Sequence, residues 1–268
     1  MLTPIQLTQF QVFGCLVLRG VLTADEIRTA GAEFAFGLSL TQESDRSGIG
    51  GQQLNWTNQR PETPFLGSLL EDNRFYGAAK QVLGEDAVGF FARCNSFNGP
   101  QTAWHPDQVD RAWRGIKVGL YLDPLDGDTG ALRLIPGSHK NPFFSDIHQV
   151  ELRHSNTGGE RAGGLNVEDM PAFIATSEPG DVVVFDNHTW HASYGGGKNR
   201  RMCTLGYFAP PITAEEVEAT RNVAGEDSNV HAIWPAVSPH PEWLANPEGS
   251  PVRARWLSVL RKWGFPGY

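Results

Sequence analysis

Cysteine is scarce in this chain. Cys15, Cys94 and Cys203 are three in 268 residues, odd in number and widely spaced, so a disulfide framework is not expected. No stretch runs apolar for the ~20 residues that a membrane helix needs. The segment from Met1 to Phe10 has neither a charged leader nor a long apolar run. Positive charge is in deficit, with 22 Lys and Arg against 30 Asp and Glu and a net charge of -8. An acidic surface disfavours phosphate backbones and anionic lipid, so neither nucleic acid nor membrane is expected as a partner. Internal repeats, low-complexity tracts and the strand–helix alternation of a parallel sheet are missing too. What remains is a soluble protein of a reducing compartment, expected in the cytoplasm as a monomer or homodimer, with a small molecule as its partner.

The length fits one large domain over residues 1–268, since all-β sandwiches and barrels of this size are commonly single units. Residues 1–85 read as helical support. Thr3-Pro4 opens a helix that Gly14 ends, Cys15 to Leu18 is a short buried strand, and Thr23 with Glu26 forms a capping box for a second helix. Phe65 to Leu83 has helical spacing up to Gly84. Residues 86–210 change period: Val88 to Phe97, Ile116 to Leu122, Leu132 to Ile135, Val182 to Phe185 and Met202 to Phe208 are short, β-branched or aromatic, and bounded by turn residues. Such strands predict a mainly β sandwich or barrel with flanking helices. An irregular insert is expected at 140–178, and a glycine-rich mobile loop, Ser47 to Gly51, within 40–60. Residues 211–268 form a C-terminal brace with a helix from Pro251 to Trp263.

The chemistry concentrates in His105-Pro106-Asp107, His191 and Arg200. Two imidazoles and one carboxylate make the facial set that holds Fe(II) in non-heme oxygenases. A following arginine can clamp a dicarboxylate through paired charged hydrogen bonds. Each part alone is weak, because His-x-Asp arises by chance and most histidines are surface or core groups. His188 competes with His191. Arg201 competes with Arg200, since only one of two neighbours on a strand points inward. Asn95, Lys117 and Tyr121 lie on strands beside the motif, where they are co-substrate contacts or ordinary lining.

The surrounding sequence resembles the phytanoyl-CoA dioxygenase family. The resemblance runs over about residues 3–210 and rests on Leu16 to Leu22, His105-x-Asp107, the block Gly130 to Lys140, Gly180 to Phe185, and Trp190-His191-Ala192-Ser193. It implies a double-stranded β-helix core of the jelly-roll or cupin type. It also implies Fe(II), 2-oxoglutarate as co-substrate and O2, with His105, Asp107 and His191 as metal ligands and catalytic centre. Arg200 or Arg201, assisted by Ser193, would hold the distal carboxylate of 2-oxoglutarate. An aspartate at 107, where related halogenases carry a small residue, implies hydroxylation or a kindred oxidation, with release of succinate and CO2. His139 in the Pro-Gly-Ser-His block is expected to tie a turn.

The substrate side is open. Trp56, Arg60, Trp104, Arg114 and His188 are candidate contacts, although for Trp104, as for Trp113 and Trp190, core packing is the better reading than substrate contact. Arg111, Arg114 and Lys117 hint at an anionic or carboxylated substrate, although a solvated face explains them as well, and no basic groove is long enough for coenzyme A. A small polar molecule or natural product is the expected substrate. The alternatives are an iron oxidase or isomerase that does not use 2-oxoglutarate, and a non-catalytic β-helix binding protein.

Overall fold

Thr3 and Thr23 open the first two helices alike. Each hydroxyl accepts from the backbone N–H three residues on, and Gln6 or Glu26 returns a bond to the cap N–H. Pro4 sits in the first turn of α1 (Pro4–Phe13), and Gly14 ends it in the left-handed region at φ 75°. A Cβ on Gly14 would also collide with His139 and Thr189. α2 spans Ala24–Ser39. The computed structural model describes residues 1–41, 46–47, 53–155, 170–197, 199–233 and 235–268. Gly48 to Gly51 of the expected mobile loop therefore lie outside the described residues.

The single helix expected from Phe65 to Leu83 is two, α3 (Pro64–Ser68) and α4 (Asn73–Leu83). Asp72 breaks the run by capping α4 through the Arg74 N–H while pairing with the Arg74 guanidinium at 2.6 Å. The apolar spacing hides this break because Leu69 and Leu70, between the helices, are buried as well.

The strands are β1 (Cys15–Leu18), β2 (Arg46–Ser47), β3 (Gln53–Thr57), β4 (Val88–Phe97), β5 (Thr102–His105), β6 (Gly115–Tyr121), β7 (Leu132–Leu134), β8 (Phe173–Ala175), β9 (Val182–Asp186), β10 (His191–Ser193) and β11 (Arg200–Phe208). They form a seven-stranded sheet ordered β1-β9-β6-β11-β4-β3-β2 and a four-stranded sheet ordered β5-β10-β7-β8. All pairings are antiparallel. This is the expected double-stranded β-helix. Residues 1–85 are not purely helical, since they supply three strands of the larger sheet. The 140–178 insert is less irregular than expected. It contains β8 and a helix, α5 (Phe143–Ser155), while residues 156–169, with Gly158, Gly159, Gly163 and Gly164, lie outside the described residues.

The outer face of the larger sheet is packed by helices. Tyr207 donates its hydroxyl to the Leu70 carbonyl, and the Trp256 indole N–H donates to the Ala87 carbonyl. Behind the sheet lie α7 (Pro241–Ala245) and α8 (Pro251–Trp263), the latter as expected. One long helix, α6 (Ala214–Ile233), falls within the helical brace expected over 211–268, although its bounds were not read from the sequence. Its start carries a capping box: Thr213 Oγ1 accepts from the Glu216 N–H, and Glu216 accepts from the Thr213 N–H. Among the described residues no helix is long and apolar enough to cross a membrane.

Candidate metal centre

β5 and β10 pair so that His105 lies directly opposite His191. Facing positions on neighbouring antiparallel strands bring side chains together on one face, and the two imidazole centroids are 4.4 Å apart. Asp107 follows two residues later, and the ligand atoms of the three residues lie within 4.8 Å of one another. Each histidine is steered by the backbone two residues before it. His105 Nδ1 meets the Ala103 carbonyl at 2.8 Å, and His191 Nδ1 meets the Thr189 carbonyl at 2.8 Å. A carbonyl only accepts, so each Nδ1 donates there and Nε2 is left as the nitrogen open to a metal.

Charge completes the set. Burial, with His105 alongside, depresses His191 to about 3, so it is neutral at pH 7. Burial works the other way on Asp107, but the Lys117 ammonium and the two imidazoles outweigh it and hold the carboxyl down to about 2. Lys117 Nζ lies 2.6 Å from Asp107 Oδ1. Asp107 Oδ2 is buried without a hydrogen-bond partner. A buried anionic oxygen left unpaired is costly, and a cation held between it and the two Nε2 atoms would satisfy it. Two imidazoles and an ionised carboxylate fit Fe(II).

The triad borders a cavity of about 300 Å³ enclosed by the inner faces of the two sheets. At one end stands Arg200, 8% exposed at the start of β11. Its guanidinium lies 4.6 Å over the Phe97 ring and donates to the Gly130 carbonyl, and its Nε is buried unpaired. Ser193 and Tyr121 share that end, with Ser193 Oγ 3.2 Å from Thr102 Oγ1. Strand alternation separates the two arginines. Arg201 turns away from the cavity and pairs with Asp123 at 2.6 Å. Asn95 lines the cavity too, donating to Asn55 at 2.7 Å and to Gln53 at 3.2 Å. Gln53, Asn55, Arg93 and Thr204 also face inward. Sequence reading missed these four: β3 was folded into a loop, while alternation around Asn95 and Met202 would have pointed to Arg93 and Thr204.

None of the five candidate substrate contacts lines this cavity. Trp56, on the opposite face of β3 from Asn55, packs edge-on against Phe34 at 4.8 Å and closes on Gly37. Arg60 pairs with Glu62 at 3.0 Å. Trp104 neighbours His105 and so faces outward, joining Ile135, Phe144 and Trp190 in a separate apolar cluster. Arg114 pairs with Glu216 at 2.9 Å. His188 is fixed between the Asp186 carboxylate and the Asp110 carbonyl, both at 2.9 Å, which removes it as a rival to His191. His139 is buried in the turn as expected, and its carbonyl accepts from Arg111.

Comparison with known proteins agrees with this geometry. An ectoine dioxygenase of Bordetella bronchiseptica is 29% identical over 150 residues, 49% of this chain and 48% of that protein. The chain thus spans about half the length of this relative. Among solved structures, HygX from Streptomyces hygroscopicus with nickel and 2-oxoglutarate bound superposes with a TM-score of 0.63, at 18% identity over 80% of this chain and 89% of its own. EctD from S. alaskensis with 2-oxoglutarate and 5-hydroxyectoine gives 0.57, at 21% identity over 78% and 77%. Both share the fold. The profile of the phytanoyl-CoA dioxygenase family matches residues 10–202, and the chain belongs to that family.

Proposed function

We propose that the protein is an Fe(II)- and 2-oxoglutarate-dependent dioxygenase that hydroxylates, or otherwise oxidises, a small polar molecule or natural product. The observation that carries this reading is the placement of the triad and of a buried, inward-facing Arg200 in one cavity. His105, Asp107 and His191 would hold the iron, with Arg200 and Ser193 on the distal carboxylate of 2-oxoglutarate. Iron so held, with 2-oxoglutarate and O2, supplies the oxidant for a C–H bond, with succinate and CO2 as the co-products.

The chain's own groups have distinct tasks. Lys117 keeps Asp107 ionised, and the carbonyls of Ala103 and Thr189 engage both Nδ1 atoms and so leave Nε2 as the nitrogen open to a metal. Arg200 is pinned by Phe97 and the Gly130 carbonyl, so its free donors are already aimed before a carboxylate arrives. Tyr121, Leu132 and Phe185 form a largely apolar wall that excludes water around the co-substrate. The relatives support the substrate class, since the proteins they resemble are named for, or hold, small polar molecules. Anaerobic titration of the Fe(II)-loaded protein with 2-oxoglutarate tests the reading. A weak visible charge-transfer band is expected. Iron binding without the band would remove 2-oxoglutarate from the proposal, and no iron binding would remove the triad.

A further inference from the structure

Past the triad lies a second chamber of about 230 Å³ beneath α6. Phe91, Arg93, Asp107 and Lys117 border both spaces, so the metal-side carboxylate stands on their common wall. Val223 and Asp227 of α6 close the far side, with Trp113 beside them.

Arg93 is the distinctive group here. Along β4 it lies four residues before Phe97, which is the register partner of Arg200. At roughly 3.3 Å per residue the two arginines stand about 13 Å apart along the sheet. That is further than one five-carbon dicarboxylate reaches, so Arg93 is not a second hand on 2-oxoglutarate. Its Nη2 is held by Asp227 Oδ1 at 3.0 Å and by His231 Nε2 at 2.9 Å. Since His231 Nε2 accepts there, its Nδ1 carries the proton and donates to Ser238 Oγ at 3.1 Å. The guanidinium lies 4.8 Å over the Phe91 ring. Among the described residues no acceptor meets Nη1, and Nε is buried unpaired. Asp227 and His231 take two donors of the five, which leaves Nη1 and Nε unspent.

A guanidinium fixed at one corner, backed by an aromatic face and left with free donors beside a cavity, is built to receive an oxyanion. We propose that Arg93 anchors the substrate and that the substrate carries a carboxylate. This rests on the oxygenase reading. The carboxylate lies in the chamber beneath α6, and the rest of the molecule extends past Phe91 towards the triad. The anionic preference suggested by Arg111 and Arg114 in the sequence passes to Arg93. Arg114 is spent on Glu216, and Arg111 on the His139 carbonyl and the Phe144 ring.

The test is calorimetric titration of the Ni(II)- and 2-oxoglutarate-loaded protein with proline, pipecolate, benzoate and cyclohexanecarboxylate, each beside its primary amide. At least one carboxylate should bind with a Kd of about 1 mM or tighter and exceed its amide by about tenfold. Arg93→Met should abolish that margin, and Arg93→Lys, which keeps the charge and guards against a folding artefact, should recover part of it. Both variants should still give the charge-transfer band with Fe(II) and 2-oxoglutarate. Equal binding of acids and amides, undiminished binding by Arg93→Met, or no carboxylate binding at all would overturn the proposal. Absence of the band in the unsubstituted protein would instead overturn the oxygenase reading. The carboxylate titration, repeated on metal-free protein, would still decide the role of Arg93.

Discussion

Arg200 and Arg201 are adjacent, carry the same charge and differ in everything else. One is buried against Phe97, and the other is half-exposed against Asp123. Arg200→Met should weaken anaerobic 2-oxoglutarate binding by about 100-fold, the order expected when charged hydrogen bonds are lost. Arg201→Met should leave it within about threefold, because a partly exposed ion pair contributes little. Equal losses would mean that the co-substrate lies elsewhere. The sequence made this pair visible and could not choose between them, because the register of a strand after a glycine-rich turn is set by its partners. The triad was legible because two motifs carry it. Trp56 and Trp104 misled for a plain reason: each neighbours an inward residue, Asn55 or His105, and alternation sends the next side chain into the core. Arg93 left no motif at all.

At the scale of elements, helix starts governed what could be read. The cap residue and first-turn proline at Thr3-Pro4 gave α1 and the capping box at Thr23 gave α2, whereas the equivalent box at Thr213 went unread and left α6 without bounds inside the helical brace expected there. Thr213→Ala should destabilise the protein by about 1 kcal/mol in urea unfolding. No change would mean that α6 is held from elsewhere along its length. The clasp between α2 and α4 allows a pH prediction. Arg74 binds Glu26 at 2.7 Å as well as Asp72, and donates to the Val21 carbonyl. The Arg74 hydrogen bond, aided by the cap N–H of Thr23, draws Glu26 from 4.5 down to about 2. A depressed carboxyl stabilises the fold above its ordinary value and loses that contribution as pH falls through the folded one. The melting temperature of Glu26→Gln should therefore fall below that of the parent at neutral pH. The gap should close steadily below pH ~4.5. A gap that stayed constant to pH 2 would show that the charge of Glu26 contributes nothing.

For the whole molecule, the sandwich was legible from its short bounded strands, while β2, β3, β5, β8 and β10 were not, each lying in a stretch that reads as loop, insert or motif rather than as an apolar run. Such strands are defined by their ladder partners more than by their own composition. Ligands that bind only the folded state raise its stability by mass action. Ni(II) with 2-oxoglutarate at 100 times Kd should add about 2.7 kcal/mol, read as a rise in melting temperature. His191→Ala should abolish the rise. A rise that persisted would place the metal elsewhere.

The two carbonyls that aim the imidazoles each lie two residues upstream of the histidine they hold, Ala103 within β5 and Thr189 in the turn that leads into β10. No distant side chain is recruited for the task. The orienting scaffold is thus local to each histidine, while much of the chamber wall comes from the larger sheet and α6. Mutational drift in those walls can change which molecule is accepted without disturbing how the histidines point. One such scaffold can pass intact through lineages whose substrates have nothing in common.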